Sequence, residues 1–258
     1  MTDAVFPSTP WPHGLDPGRF GANRLLAALP DAEAMALHPD LEIVPLAAGR
    51  FLNEPPRSPE HVWFPLWGVA SLLTPLPDGA RVETVAIGPE GMLGLSLALD
   101  AEAAMEEVVV RVPGEAARMT AEAFRRALDR GPGLRRLLAR YTLALVGHMS
   151  QTAACAWMHE VEPRLANRLV MNQDAVHRAA TFPLTHEVAA EMLGVHRPTV
   201  SAAAARLQRA GLIAYARGAV TVLDRPGLDA ASCGCHRVVK ARFAALFGDP
   251  DGGDIRPA

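Results

Sequence analysis

The spacing of apolar positions divides this chain into three textures. Between Leu41 and Met119, short apolar runs alternate with Pro, Gly and Asp turns, at 41–45, 61–66, 68–73, 81–87 and 107–113. Runs of this length predict an antiparallel β-roll of jelly-roll type, with Trp63, Phe64 and Trp67 in its core. Ahead of it, 23–37 reads as a short helix with Leu25, Leu26 and Leu29 on one face; behind it, Thr120 caps a helix to residue 128.

The second texture is helical and long. Pro132 opens it, and Leu134, Leu138, Tyr141, Leu145 and Met149 recur every three or four residues to about residue 161. Apolar residues almost encircle the first half, and a helix apolar on more than one face needs a partner on each. The roll supplies one partner. A second copy of the chain is expected to supply the other, with Leu134, Leu138, Tyr141, Leu145, Met149 and Thr152 as the dimer interface. Pro163 forces a break, and 164–176 forms a further helix.

The third texture organises the rest. LTHEVAAEMLGVHRPTVSAAAARL, residues 184–207, places Ala190, Gly194, Val195 and Val200 where a helix-turn-helix needs a small crossing residue, a turn glycine and two core apolars. Thr185 can cap the first helix, and Pro198 fits only the first turn of the second. Two short strands follow, carrying Leu212, Ile213 and Tyr215, then Val220, Val222 and Leu223, around an Arg217-Gly218 turn. A hairpin directly after a helix-turn-helix is a winged helix. Its second helix is expected in a DNA major groove, where Arg197, Thr199 and Ser201 reach base edges or phosphates. Arg217 at the wing tip meets a phosphate. The expected class is α+β: a tail at 1–22, the roll at 23–130, a dimerisation helix at 131–161, the winged helix at 162–247 and a second tail at 248–258.

Composition narrows the function. The 258 residues carry a net charge of −3, so the chain is not a general polyanion binder. Residues 160–242 hold 11 Arg and Lys against 7 Asp and Glu, a local excess that suits DNA contact by one lobe. Three cysteines, Cys155, Cys233 and Cys235, without a signal peptide point to the cytoplasm. No apolar run is long enough to span a membrane. A cupin-type enzyme needs several His and a carboxylate converging in the roll; His61 and His38 are too few, so no catalytic residue is expected. Cys233-Gly234-Cys235-His236 offers too few ligands, too tightly spaced, for a zinc site. It reads as a helix N-terminus beginning near Ser232, with no metal, and Cys155 reads as a buried thiol.

The order of roll, long helix and winged helix resembles the Crp/Fnr family of bacterial transcription regulators, most strongly across 160–223, where EVEPRLANRL, the helix-turn-helix and the wing fall in place. The resemblance implies a homodimer joined by the long helix on a pseudo-palindromic site in double-stranded DNA. It further implies RNA polymerase as a partner, and a population shift in which the 159–163 segment re-aims the winged helices. It also exposes departures. Where cyclic-AMP-binding members hold the phosphate with an Arg-Ser pair stand Glu106 and Glu107, and Leu93 replaces the ribose-binding Glu; cyclic AMP is not expected. The N-terminal region has no cysteine, so no iron–sulfur cluster is expected there. His61 and His148 are the candidate haem ligands and are read as structural or solvated, so no haem is expected and the input is left open among a different small molecule, a partner or none. Along the recognition helix Arg197 and Thr199 match the family pattern, whereas Pro198 and Ala202 replace its Glu and second Arg. Arg206 and Arg209 serve phosphates in this reading, and Thr185, His186 and His196 flank the same surface.

Overall fold

The computed structural model describes residues 20–101, 103–104, 106–176 and 179–247. The expected tails lie outside these residues, apart from 20–22. Two short helices, α1 (Arg24–Ala27) and α2 (Asp31–Leu37), stand where one was expected, because Pro30 occupies the position before α2. Asn23 is fully buried. Its Oδ1 accepts from the Leu25 and Leu26 amides, and its Nδ2 donates to the carbonyls of Pro65 and Gly91, so one side chain both caps α1 and fastens it to the roll.

The roll comprises β1 (Glu42–Leu46), β2 (Phe51–Asn53), β3 (His61–Pro75), β4 (Arg81–Ile87) and β5 (Glu107–Thr120). The order is β1-β5-β3-β4, with β2 also on β5, and every pairing is antiparallel. The runs 61–66 and 68–73 form one bent strand. Register shifts on either side of Trp67 mark the bend, and Gly68 takes φ +89 there. A β-carbon on Gly68 would lie 2.8 Å from the Val112 carbonyl oxygen, so the glycine permits close crossing rather than ending the strand.

Thr120 caps α3 (Ala121–Arg130) through the Ala123 amide. The long helix α4 (Pro132–Met158) follows, and Glu33 of α2 caps it: its carboxylate accepts from the Gly133 and Leu134 amides at 2.9 and 2.7 Å. The chain continues through α5 (Val161–Ala175), β6 (Thr181–Pro183), α6 (His186–Leu193), α7 (Arg197–Arg209), β7 (Ile213–Ala216), β8 (Ala219–Val222), α8 (Arg225–Ala231) and α9 (Cys235–Phe247). Residues 181–183 pair with β8 and make the wing a three-stranded sheet, β6-β8-β7.

The last helix overturns the expected dimer interface. α9 leaves the winged helix and lies along α4, bringing Val239, Phe243 and Leu246 into the roll core. Tyr141 is held between the two. Its hydroxyl donates to the Met92 carbonyl, accepts from the Met92 amide, and its ring lies 6.1 Å from that of Phe243. Leu134, Leu138, Tyr141 and Leu145 are therefore at most 7 % exposed within a single chain, and Met149 packs half-buried beside them. Thr152 is also half-buried. The exposed apolar positions of α4 are others: Leu143 (74 %), Val146 (53 %), Trp157 (85 %) and Met158 (78 %).

A second core fills the winged helix and continues into the outer face of the roll through Val69, Ala86 and Val112. Polar pairs cross the same junction. Arg111 meets Glu191 of α6 at 2.6 Å, and Arg168 of α5 pairs with Glu83 of β4, which also accepts from the Ser71 hydroxyl. Both members of the Arg168–Glu83 pair are buried, and burial pulls the Arg168 guanidinium down to about 10. Among the described residues, no helix is long and apolar enough to cross a membrane.

Candidate nucleic-acid interface

The helix-turn-helix forms for the local reasons its residues supply. Thr185 Oγ1 accepts from the Val188 amide at the start of α6. Gly194 ends α6 in the left-handed region (φ 63, ψ 42), and its amide donates to the Ala190 and Glu191 carbonyls. Arg164 of α5 donates to the Leu193 carbonyl at the same end. Ala190 and Val200 are buried where α6 and α7 meet. Pro198 lies in the first turn of α7, where its missing N–H costs nothing.

This leaves the N-terminal end of α7 bare. His196, Arg197, Pro198, Thr199 and Ala202 are all exposed. Arg197 keeps two-thirds of its side chain in solvent, with Glu187 3.9 Å from its Nε, a loose contact of little strength. A guanidinium so placed is free to fork onto a guanine. The wing tip packs on the start of α6, where the Leu184 amide donates to the Gly218 carbonyl. Arg217 and Gly218 both take positive φ, 50 and 78, which makes the hairpin turn the primed type that matches strand twist. Arg217 adopts this conformation at a cost that Asn or Gly would avoid, and its side chain is exposed.

Three of the sequence-derived DNA contacts are engaged within the chain instead. His186 Nδ1 and the Ser201 hydroxyl are 2.9 Å apart, and Ser201 also donates to the Arg197 carbonyl. The His186 ring meets Tyr215 of β7 edge-on at 4.6 Å. Burial, then the nearby Arg197 charge, holds the His186 imidazole below its ordinary value, and its contacts with Ser201 and Tyr215 join α6, α7 and the wing. Arg206 is ion-paired with Glu162 of α5, which anchors the far end of α7 to α5. Arg209 is exposed. Sequence spacing had no means of finding these pairings, since Glu162 lies 44 residues from Arg206.

The roll positions read as effector determinants are also accounted for. Glu107 pairs with Arg81 at 2.6 Å. The Glu106 carbonyl accepts from Asn53, and burial raises the Glu106 carboxyl. Leu93 is buried and bridges to Trp63. Trp63 is covered by the guanidinium groups of Arg50 and Arg118, 5.3 and 5.6 Å from the ring centre, with His61 tilted against it. His148 is buried against Phe243; burial, then Arg242, pulls it down to about 4.

The four residues of the Cys-Gly-Cys-His run separate. α9 begins at Cys235, three residues later than expected, and Ser232 ends α8. His236 turns inward, with Nδ1 2.9 Å from Asn167 Oδ1 and Nε2 3.0 Å from Asp229. Cys233 and Cys235 meet Cys155 and His159 at the end of α4, so four potential ligand side chains gather where the sequence reading counted too few. The spacing argument counted neighbours in sequence, and two of the four donors arrive from about 76–78 residues away.

No curated protein matches the chain in sequence. Residues 163–231 match the Crp-like helix-turn-helix domain. Solved structures share the fold over about three-quarters or more of the chain. FixK2 from Bradyrhizobium japonicum superposes with a TM-score of 0.62 at 15 % identity, covering 75 % of this chain and 98 % of its own. TTHB099, a Crp-family transcriptional regulator from Thermus thermophilus, gives 0.58 at 22 % identity, covering 73 % and 96 %. The c-di-GMP-responsive global regulator CLP of Xanthomonas campestris gives 0.56 at 14 %, covering 81 % and 100 %. The chain thus has the fold of the Crp/Fnr regulators, and its residues 163–231 are a Crp-like helix-turn-helix domain.

Proposed function

We propose that the protein is a sequence-specific, DNA-binding transcription regulator that acts as a homodimer. The observation that carries this is the bare N-terminal end of α7 in a Crp-like helix-turn-helix, with Arg197 and Thr199 exposed there and Arg217 exposed at the wing tip. Arg197 reads a guanine, Thr199 a neighbouring base or phosphate, and Arg217 and His196 the backbone. Ala202 offers a methyl where other members carry Arg, so the operator differs from theirs.

The dimer uses the outer stripe of α4. Leu143, Val146, Ser150, Ala153 and Trp157 are all exposed and step by three, four, three and four residues, the spacing of a two-helix seam. A twofold axis there sets the two recognition helices about one DNA turn apart. RNA polymerase is a further partner in this reading. Glu106 and Glu107, the latter already paired with Arg81, support action without cyclic AMP. The His148 ring, buried against Phe243, supports action without haem. The effector, if the roll takes one, is a small molecule of another class.

The test is binding to the DNA upstream of the protein's own gene, without added ligand, over a range of salt. Wild type is expected to select one fragment over competitor DNA. Arg197→Ala loses about 1–3 kcal/mol of that selective binding, and Arg217→Ala lowers the salt slope by about 1 while leaving sequence preference intact. Equal binding to all fragments by wild type would overturn the reading.

A further inference from the structure

The break between α4 and the winged helix carries a cluster that DNA binding does not explain. Cys155 and His159 are one helical turn apart at the end of α4, and His159 is the residue at which the helix stops. Cys233 and Cys235 flank Gly234, whose φ of 73 turns the loop between α8 and α9. The Cys233 amide donates to the Pro163 carbonyl, so the loop is fastened to the start of α5. The donor atoms of Cys155, His159, Cys233 and Cys235 all lie within 4.8 Å of one another. Cys155 Sγ is 3.5 Å from Cys233 Sγ, and Cys235 Sγ is 3.6 Å from His159 Nδ1.

These separations have the size of a single ion's coordination shell. With metal–sulfur bonds of about 2.3 Å and metal–nitrogen bonds of about 2.1 Å, the edges of a tetrahedron are roughly 3.5–3.8 Å. The ligands of an iron–sulfur cluster are spread over at least two irons, so those on different irons stand farther apart than these do. A disulfide joins two sulfurs and leaves Cys235 and His159 without a role. The surroundings are those of a held ligand set. Gln151 Nε2 donates to Cys235 Sγ at 3.3 Å, and the Cys235 amide donates to the Cys233 sulfur. Cys155 and Cys235 are buried, whereas His159 is exposed and leaves an approach from solvent.

We propose that Cys155, His159, Cys233 and Cys235 bind one zinc ion in a closed tetrahedral site that clamps the end of the long helix to the loop before α9. Three thiolates and an imidazole are the donor set of a structural zinc site, and four protein ligands leave no open position for catalysis. Each coordinating thiol releases its proton to solvent on binding, with no change of oxidation state. The ion spans the His159–Glu160 break from which the winged helix departs, so occupancy sets the angle between α4 and the recognition helix. The site stands whether or not that helix binds DNA.

The test is the metal content of the full-length chain, purified reduced and without chelator. About one zinc per chain is expected, released by a thiol-blocking mercurial, with less than about a tenth remaining in Cys155→Ser or Cys233→Ser. His236→Asn is expected to keep its zinc, because His236 faces Asn167 and Asp229. Cobalt(II) added to zinc-stripped, reduced wild type provides a readout independent of how the variants fold. It should give the intense visible bands of tetrahedral cobalt with a thiolate charge-transfer band, bleached by one equivalent of zinc. The proposal is overturned if reduced wild type takes up neither metal, if cobalt shows no thiolate band, or if Cys155→Ser retains full zinc.

Discussion

The two faces of α4 are both apolar, and they do different things. The inner face, Leu134, Leu138, Tyr141, Leu145 and His148, is closed by the roll on one side and α9 on the other. The outer stripe, from Leu143 to Trp157, stays exposed within the chain. Burial on the inner face stabilises a single chain. Burial on the outer face is available only to an assembly. The same substitution chemistry must therefore separate the two faces, one by stability and the other by association.

The largest separation is expected at Tyr141. Tyr141→Ala removes a fully buried ring and both hydrogen bonds to Met92, and should lower the unfolding free energy by about 3–5 kcal/mol in a urea titration. A loss below about 1 kcal/mol would mean that the inner face is not the chain's core. His148 sharpens the same point through pH. Its folded value is about 4 against an ordinary 6.5, so the unfolded chain binds the extra proton first. Stability should be unaffected by this group above pH 6.5 and should fall as pH drops from 6.5 towards 4, by about 3 kcal/mol in all. His148→Gln should remove that slope from the pH profile. If the slope persists, His148 is not the buried neutral group described.

The smallest effect on the chain's own stability is expected on the outer stripe. Leu143→Glu with Val146→Glu should shift unfolding by no more than about 0.5 kcal/mol at concentrations where the chain is monomeric. The same pair should convert a dimer to a monomer in sedimentation. A dimer that survives both charges would move the seam elsewhere and break the comparison.

The recognition unit was legible in the sequence because its determinants are local. Thr185, Gly194, Pro198 and the Arg217-Gly218 turn act through the φ and ψ of their own neighbourhood, and each sits in the structure where its chemistry requires. The strand at 81–87 followed from a short apolar run between turns, and the return strand of the wing from period-two spacing. The bend at Gly68 did not, since a glycine inside a run signals either an end or a close crossing, and only β5 behind it decides which.

By itself, then, the sequence determined the α+β class, the order of roll, long helix and winged helix, and the residues presented at the start of α7. Tertiary structure decided which face of α4 the chain keeps for itself, because apolar residues on every side give periodicity no preferred direction and α9 returns from the far end of the chain to choose. It also took Ser201, His186 and Arg206 out of the free DNA surface and drew Cys155 and His159 to Cys233 and Cys235. Those outcomes depend on partners tens of residues away, and a contact across such a distance leaves no trace in local spacing.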